Sequence, residues 1–304
     1  MAPADPADGV REAAPAKLNL YLHLLGRRAD GYHLIDSLVA FAGVGDVVEA
    51  SPGEGLSLEV AGRFAPALAG TGENLVLRAA RRLAAEGGVS ADAAIRLHKA
   101  LPVAAGLGGG SADAAAALRA LAALWRLDPD EEDLRRLGVE LGADVPACLA
   151  GRAVFVGGIG EAIEPAPALP PVFAVLARPP TPLATKDVYA AFAGGFSQPA
   201  RFARAPRDAR ELAARLAERA NDLEAPARRL APAVGDTLAA LAGEPGCLLA
   251  RMSGSGAACF GLFATAGEAS SAAARMAAAR PGWWVVSTAL ADPSARTSPG
   301  AATR

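Results

Sequence analysis

The chain has 304 residues, 52% of them hydrophobic and 20% charged, with a formal net charge of −2. This composition supports a sizeable buried core, argues against a largely disordered chain, and gives no electrostatic ground for nucleic acid or an anionic membrane as partner. Three scattered cysteines, Cys148, Cys247 and Cys259, form no C-x-x-C pair, which argues against a disulfide framework or a zinc site and fits a reducing, cytoplasmic setting.

The length suggests two domains. Residues 1–13 and roughly 290–304 read as loose polar ends. The opening MAPADPADGVREAAP has acids and prolines where a signal peptide has basic residues and an apolar stretch, and no apolar run approaches transmembrane length. Order begins with AKLNLYLHLLG, where Leu18, Leu20, Leu22 and Leu24 alternate with Lys17, Asn19, Tyr21 and His23. Period-two alternation predicts a half-buried strand whose polar face carries a lysine, an amide and an imidazole in a row. For His23 taken alone, an ordinary wet strand face is the preferred explanation.

A polar turn containing Asp30-Gly31 leads through Tyr32 and His33 to strands near 46–50 and 56–60. From Asn74 the chain reads as a helix closed by Gly87-Gly88, and AAIRLHKA as a strand. Then comes LPVAAGLGGGSADAA, a glycine-rich bend feeding directly into an alanine-rich helix. Such a bend gathers unpaired amides and the positive end of a helix dipole around one small volume, which suits a polyphosphate. Neither better-known phosphate loop fits: no Gly-Lys-Ser or Gly-Lys-Thr is present, and Ser111 stands where the dinucleotide fingerprint needs its third glycine. A helix cap or a small-residue packing seam is the plainer alternative.

Helices follow at about 111–125 and 130–141, then LGADVP. Asp144, two residues before Pro146, reads as the N-cap of the next helix or as a proton acceptor, and the two roles are compatible if its side chain faces a cleft. The segment 157–171, dense in glycine and proline, separates strand-like RAVFV from strand-like VFAVLA and marks a candidate domain boundary. Beyond it the order reads strand 172–177, helix 185–193, helices 207–219 and 226–242, strands 247–252 and 257–263, helix 267–279 and strand 283–288. This order suggests α+β layers rather than a doubly wound parallel sheet. Between the two late strands, Ser253-Gly254-Ser255-Gly256 would let backbone approach a neighbouring loop or a phosphate, or form a plain hairpin. Lysine occurs only at Lys17, Lys99 and Lys186, and marks places where a compact ammonium is not interchangeable with arginine. An anion-binding loop, one lysine on a strand face and one aspartate are the minimum kit for phosphoryl transfer to a hydroxyl.

The segments PAKLNLYLHLLGRRADGYH, LPVAAGLGGGSADAA and MSGSGAACF, in this order and spread over nearly the whole chain, resemble the three motifs of the GHMP kinase superfamily. The AKLNLYL strand, the DGYH turn, the GLGGGSADAA loop and LGADVP together resemble its branch acting on a cytidyl-linked alcohol. The resemblance implies an α+β fold with an N-terminal nucleotide-binding domain (1–157), a C-terminal ferredoxin-like domain (158–304) and an active site between them. It implies ATP-dependent phosphorylation, with Mg2+, of the 2-hydroxyl of 4-diphosphocytidyl-2-C-methyl-D-erythritol on the non-mevalonate route to isoprenoid precursors, by a cytoplasmic monomer or homodimer.

Carried over by motif, Lys17 and Asp144 are the catalytic pair. Pro102, Val103, Ala104, Ala105, Gly106, Leu107, Gly108, Gly109, Gly110, Ser111 and Ala112 form the triphosphate loop, with Lys99 at the adenine. Asn19, Tyr32 and His33 hold the cytidyl substrate, Tyr32 by stacking and His33 at the base edge, and Thr185 and Tyr189 close over it. Val103-Ala104-Ala105 departs from the glycine or methionine frequent in relatives, which leaves the phosphate cradle intact. Two alternatives stay open: another small-alcohol kinase of the superfamily, acting on homoserine, mevalonate or a sugar, and a non-catalytic nucleotide-binding module.

Overall fold

The computed structural model describes residues 9–69 and 72–290. Most of the two polar ends lies outside the described residues, but strand β1 (Val10–Arg27) already begins at Val10. Residues 10–13, expected to be loose, pair with 47–50 of β2 (His33–Ser51), so the first strand is longer than its leucine alternation indicates. β2 also runs far ahead of the expected 46–50. Residues 35–42 are buried on both faces, the polar Asp36 and Ser37 included, so the segment lacks the alternation that announces a half-exposed strand.

β1 and β2 form a long antiparallel hairpin. Around it are β3 (Leu56–Ala61), β4 (Ala93–His98), β5 (Val154–Gly157) and β6 (Ala162–Pro165), in the order β3-β4-β2-β5-β6 with β1 on β2. β6 lies inside the Gly/Pro-rich 157–171 segment, so the first sheet extends past residue 157. The second sheet is antiparallel, β10-β7-β9-β8, from β7 (Phe173–Arg178), β8 (Leu249–Met252), β9 (Cys259–Phe263) and β10 (Trp284–Ala289).

Helix α1 (Leu75–Gly87) starts on Asn74, whose side chain accepts the Val76 amide at 2.9 Å, and ends at Gly88 in the left-handed conformation. Helix α2 (Gly109–Leu124) is apolar on nearly every side. Ala112, Ala114, Ala115, Ala116, Ala117, Ala120 and Ala122 are buried, so a thin alanine surface lets it sit between the β1–β2 hairpin and α1. α3 (Glu131–Leu141) carries three acids in its first turn, which favour the positive end of the helix. α4 (Val145–Ala150) and α5 (Thr185–Ala190) are short. α6 (Ala209–Ala217) precedes a region read as one helix over 226–242. It is two, α7 (Glu224–Leu230) and α8 (Ala233–Ala242), because Pro232 cannot continue the first. α9 (Ala266–Ala279) opens on a Thr265/Glu268 capping box.

β1 is tied to the loop between α6 and α7. The Leu22 amide donates to Ala220 O at 3.0 Å, the Asp222 amide to Leu22 O at 2.9 Å, and the Leu24 amide to Asp222 Oδ2 at 2.7 Å. His23 bridges the same seam, Nδ1 against Gln198 O at 2.9 Å and Nε2 accepting the Ala220 amide at 3.2 Å. Its role is structural, and the wet strand face expected there is buried.

Candidate active site

Strict alternation would put Lys17, Asn19, Tyr21 and His23 in one row. Irregularities in the β1–β2 register between Pro15 and Lys17 and between Asn19 and Tyr21 break it. A bulge shifts the facing of every later side chain. Leu18 and Leu20 therefore belong to a different core cluster from Leu22 and Leu24. Lys17, Asn19 and Leu22 line a cavity of about 1010 Å³, while Tyr21 turns away to donate its hydroxyl to Asp36 at 2.8 Å.

Lys17 Nζ donates to Asp144 Oδ1 at 2.7 Å; the lysine side chain is 5% exposed and the aspartate 44%. Asp144 precedes α4, yet its side chain makes no capping bond. It faces the cavity instead, paired with Lys17.

The glycine bend is built against this pair. The Lys17 amide donates to Leu107 O at 2.8 Å. Gly108, the N-cap of α2, has φ +63, and a Cβ there would lie 2.9 Å from Lys17 Cβ. Gly106, φ +76, is pressed against the second glycine turn: a Cβ would meet Ser253 O at 2.4 Å. Only glycine accepts both the conformation and the approach. Ser253 Oγ donates to Gly106 O at 2.9 Å and the Ala258 amide to Ala105 O at 2.9 Å. Asn221 Nδ2 holds the turn by donating to Met252 O at 2.9 Å and Gly254 O at 2.8 Å. The late turn thus buttresses the first bend, a job sequence left undecided between loop packing and a plain hairpin.

Pro102 to Gly106 and Gly108 to Ser111 line the cavity, whereas Leu107 and Ala112 are turned into the core and offer only backbone. Lys99 reaches the cavity wall, but its ammonium is not free for an adenine as expected. It lies in a buried ion cluster between Asp46 and Asp113, which outweigh the cost of burial and hold it above the ordinary lysine range.

On the acceptor side, Asn19 Nδ2 donates to Ser37 Oγ at 2.8 Å, leaving Asn19 Oδ1 buried without a hydrogen-bond partner at the cavity wall. His33 stacks obliquely on Tyr189 with ring centroids 5.3 Å apart, and burial and the Arg27 charge push its pKa below the usual histidine value. Burial raises the Tyr189 phenol to about 12, helped by the nearby Asp144 charge. Tyr32 is 59% exposed and still lines the cavity. Thr185 Oγ1 and Ser255 Oγ are 2.9 Å apart, tying α5 to the glycine turn. Gly108, Lys17, Asp144, Tyr189 and His33 all line this one cavity. Sequence reasoning missed Asp46, Asp113 and Asn221; the one signal available for them was an acid, Asp113, inside an otherwise apolar helix start.

The family model described as GHMP kinases N terminal domain matches residues 74–152, and that described as GHMP kinases C terminal matches residues 201–281. A 4-diphosphocytidyl-2-C-methyl-D-erythritol kinase of Paramagnetospirillum magneticum is 56% identical over 277 residues, 91% of this chain and 97% of the relative. One from Rhodospirillum rubrum is 49% identical over 95% of each chain. The crystal structure of a 4-(cytidine 5'-diphospho)-2C-methyl-D-erythritol kinase superposes with a TM-score of 0.73 at 35% identity, covering 93% of this chain and all of that one. A homoserine kinase from Cytophaga hutchinsonii also gives a TM-score of 0.73, at 18% identity over 95% of this chain and 97% of that one, a likeness of fold alone.

Proposed function

Since the chain belongs to the GHMP kinases, within their 4-diphosphocytidyl-2-C-methyl-D-erythritol kinase branch, we propose that its cavity transfers the γ-phosphoryl group of ATP to the 2-hydroxyl of that cytidyl alcohol. The observation that carries the reading is the Lys17–Asp144 pair standing 2.7 Å apart against the amide-rich start of α2.

Each part has a physical role. Amides of the 102–112 bend and the α2 dipole seat the phosphates. The acceptor oxygen bonds to the γ-phosphorus as the bond to the β-phosphate bridging oxygen breaks and ADP leaves; the hydroxyl proton passes to Asp144. Lys17 fixes the carboxylate and stabilises negative charge gathering on the acceptor oxygen. Proton transfer of this kind contributes about 10²–10⁴-fold, and positioning supplies the rest.

Among the described residues no group of three or more His, Cys, Asp or Glu is arranged to hold a metal. At the cavity wall the Ser111 hydroxyl would suit a magnesium ion arriving on the nucleotide, which would neutralise phosphate charge. Asn19, at the cavity wall, suits a polar group of the substrate. Tyr32 and His33 suit a pyrimidine face and edge, with Thr185 and Tyr189 closing from the far side. The nucleotide would be held by the part of the chain that ends with β6 at Pro165, and the closing residues Thr185 and Tyr189 come from beyond it. Among the described residues no helix is long and apolar enough to cross a membrane. Three free, separated cysteines fit a cytoplasmic enzyme.

The test is ADP release with each acceptor in turn. Turnover with the cytidyl alcohol and none with homoserine, mevalonate or galactose supports the reading. Preference for one of those three, or ATP binding without turnover on any acceptor, overturns it.

A further inference from the structure

We propose that Asp46, Lys99 and Asp113 form a buried clamp that positions the phosphate-binding bend at both of its ends. Asp46 sits on β2, Lys99 just after β4 and Asp113 in the early part of α2, and their side chains are all at most 4% exposed. Asp46 Oδ1 accepts the amides of Ala100 at 2.6 Å and Leu101 at 2.8 Å, the last two residues before the bend. Its other oxygen binds the Lys99 ammonium, which donates in turn to Asp113 Oδ2 at 2.7 Å, beyond the bend. A Cβ on Gly109, the first residue of α2, would lie 3.4 Å from Lys99 Nζ and 3.6 Å from Asp46 Oδ2. The cluster therefore lies directly beneath the helix start whose amides face the cavity.

Physical chemistry says what such a cluster is good for. A buried ion pair contributes little net stability compared with an apolar replacement of the same volume, because desolvation offsets attraction. What it does supply is directional, charge-assisted hydrogen bonding that fixes geometry. One amine facing two acids leaves surplus negative charge, which the positive end of α2 tolerates. Asp113 Oδ1 has no hydrogen-bond partner, and burial raises this carboxyl to about 7 against the pull of Lys99, with the Asp46 charge adding to the rise. These are positioning residues: none needs to touch the nucleotide.

The inference rests on the reading that the bend carries the triphosphate, so the experiment first measures ADP binding to the intact wild-type chain by calorimetry; absent binding there would count against that reading. Asp46→Asn keeps an oxygen for the two amides but removes the ion pair. Its KM for ATP and its Kd for ADP should rise at least about 10-fold, with KM for the cytidyl alcohol changed less than about twofold. If Asp46→Asn does not fold, Lys99→Arg serves: its charge is kept, but the planar fork does not fit beneath Gly109, and the same split is expected. Nucleotide constants within twofold of wild type in the folded variant, or equal losses for both substrates, would overturn the clamp.

Discussion

Replacing Gly106 by alanine tests the contact on which the shape of the phosphate bend depends. The residue has φ +76, and an added Cβ would lie 2.4 Å from Ser253 O and 2.8 Å from Gly256 O, both backbone atoms of the second glycine turn. Left-handed backbone costs an alanine about 1–2 kcal/mol, and forcing an extra carbon into close-packed surroundings about 1–3 kcal/mol. Against this, alanine restricts the unfolded chain by about 0.4–1 kcal/mol. The net expectation is a loss of about 2–4 kcal/mol, or a melting temperature lowered by roughly 4–8 °C at about 2 °C per kcal/mol. Thermal melting by circular dichroism reads this directly. Gly110→Ala is the control: an added Cβ meets nothing within 4 Å, and helix propensity favours it, so its melting temperature should hold or rise slightly. A Gly106→Ala protein melting with the wild type would refute the buttressed bend.

Three other substitutions probe the site. Tyr32→Ala should weaken binding of the cytidyl substrate by about 1–3 kcal/mol if the ring stacks on the base, with ATP affinity unchanged in parallel titrations; equal losses for both ligands would contradict the assignment. The Asp113 carboxyl, raised from 3.8 to about 7, contributes stability that is fully present below 3.8 and disappears as pH rises through about 7. The advantage of wild type over Asp113→Asn in urea unfolding should therefore shrink between pH 4 and pH 8, and a constant difference would exclude a raised carboxyl. Finally, Asp144→Asn keeps the shape of the side chain and removes its charge, so its folding should be unchanged while its turnover collapses.

The main line of the site was legible because it is local. Gly106 to Ser111 announce a bend before a helix, and the Lys17 strand and LGADVP sit within short motifs of characteristic composition. What stayed hidden is long-range or backbone-borne. The β1 irregularity between Asn19 and Tyr21 has no signature in residue type, yet it decides that Lys17 and Asn19 meet the cavity while Tyr21 meets Asp36. The first half of β2 escaped because both of its faces are buried. Lys99 was placed at the nucleotide by the family resemblance; its partner Asp46 is 53 residues away in sequence, so nothing local revealed that the ammonium was already taken. Pro232, by contrast, carried a readable signal that the 226–242 helix breaks.

In the proposed mechanism the carboxylate 2.7 Å from Lys17 readies the acceptor hydroxyl. Steady-state kinetics of Asp144→Asn with ATP and the cytidyl alcohol test it most directly. The expected kcat is lower by at least about 10²-fold, with both KM values within about twofold of wild type; a kcat near that of the wild type would rule out Asp144 as the proton acceptor.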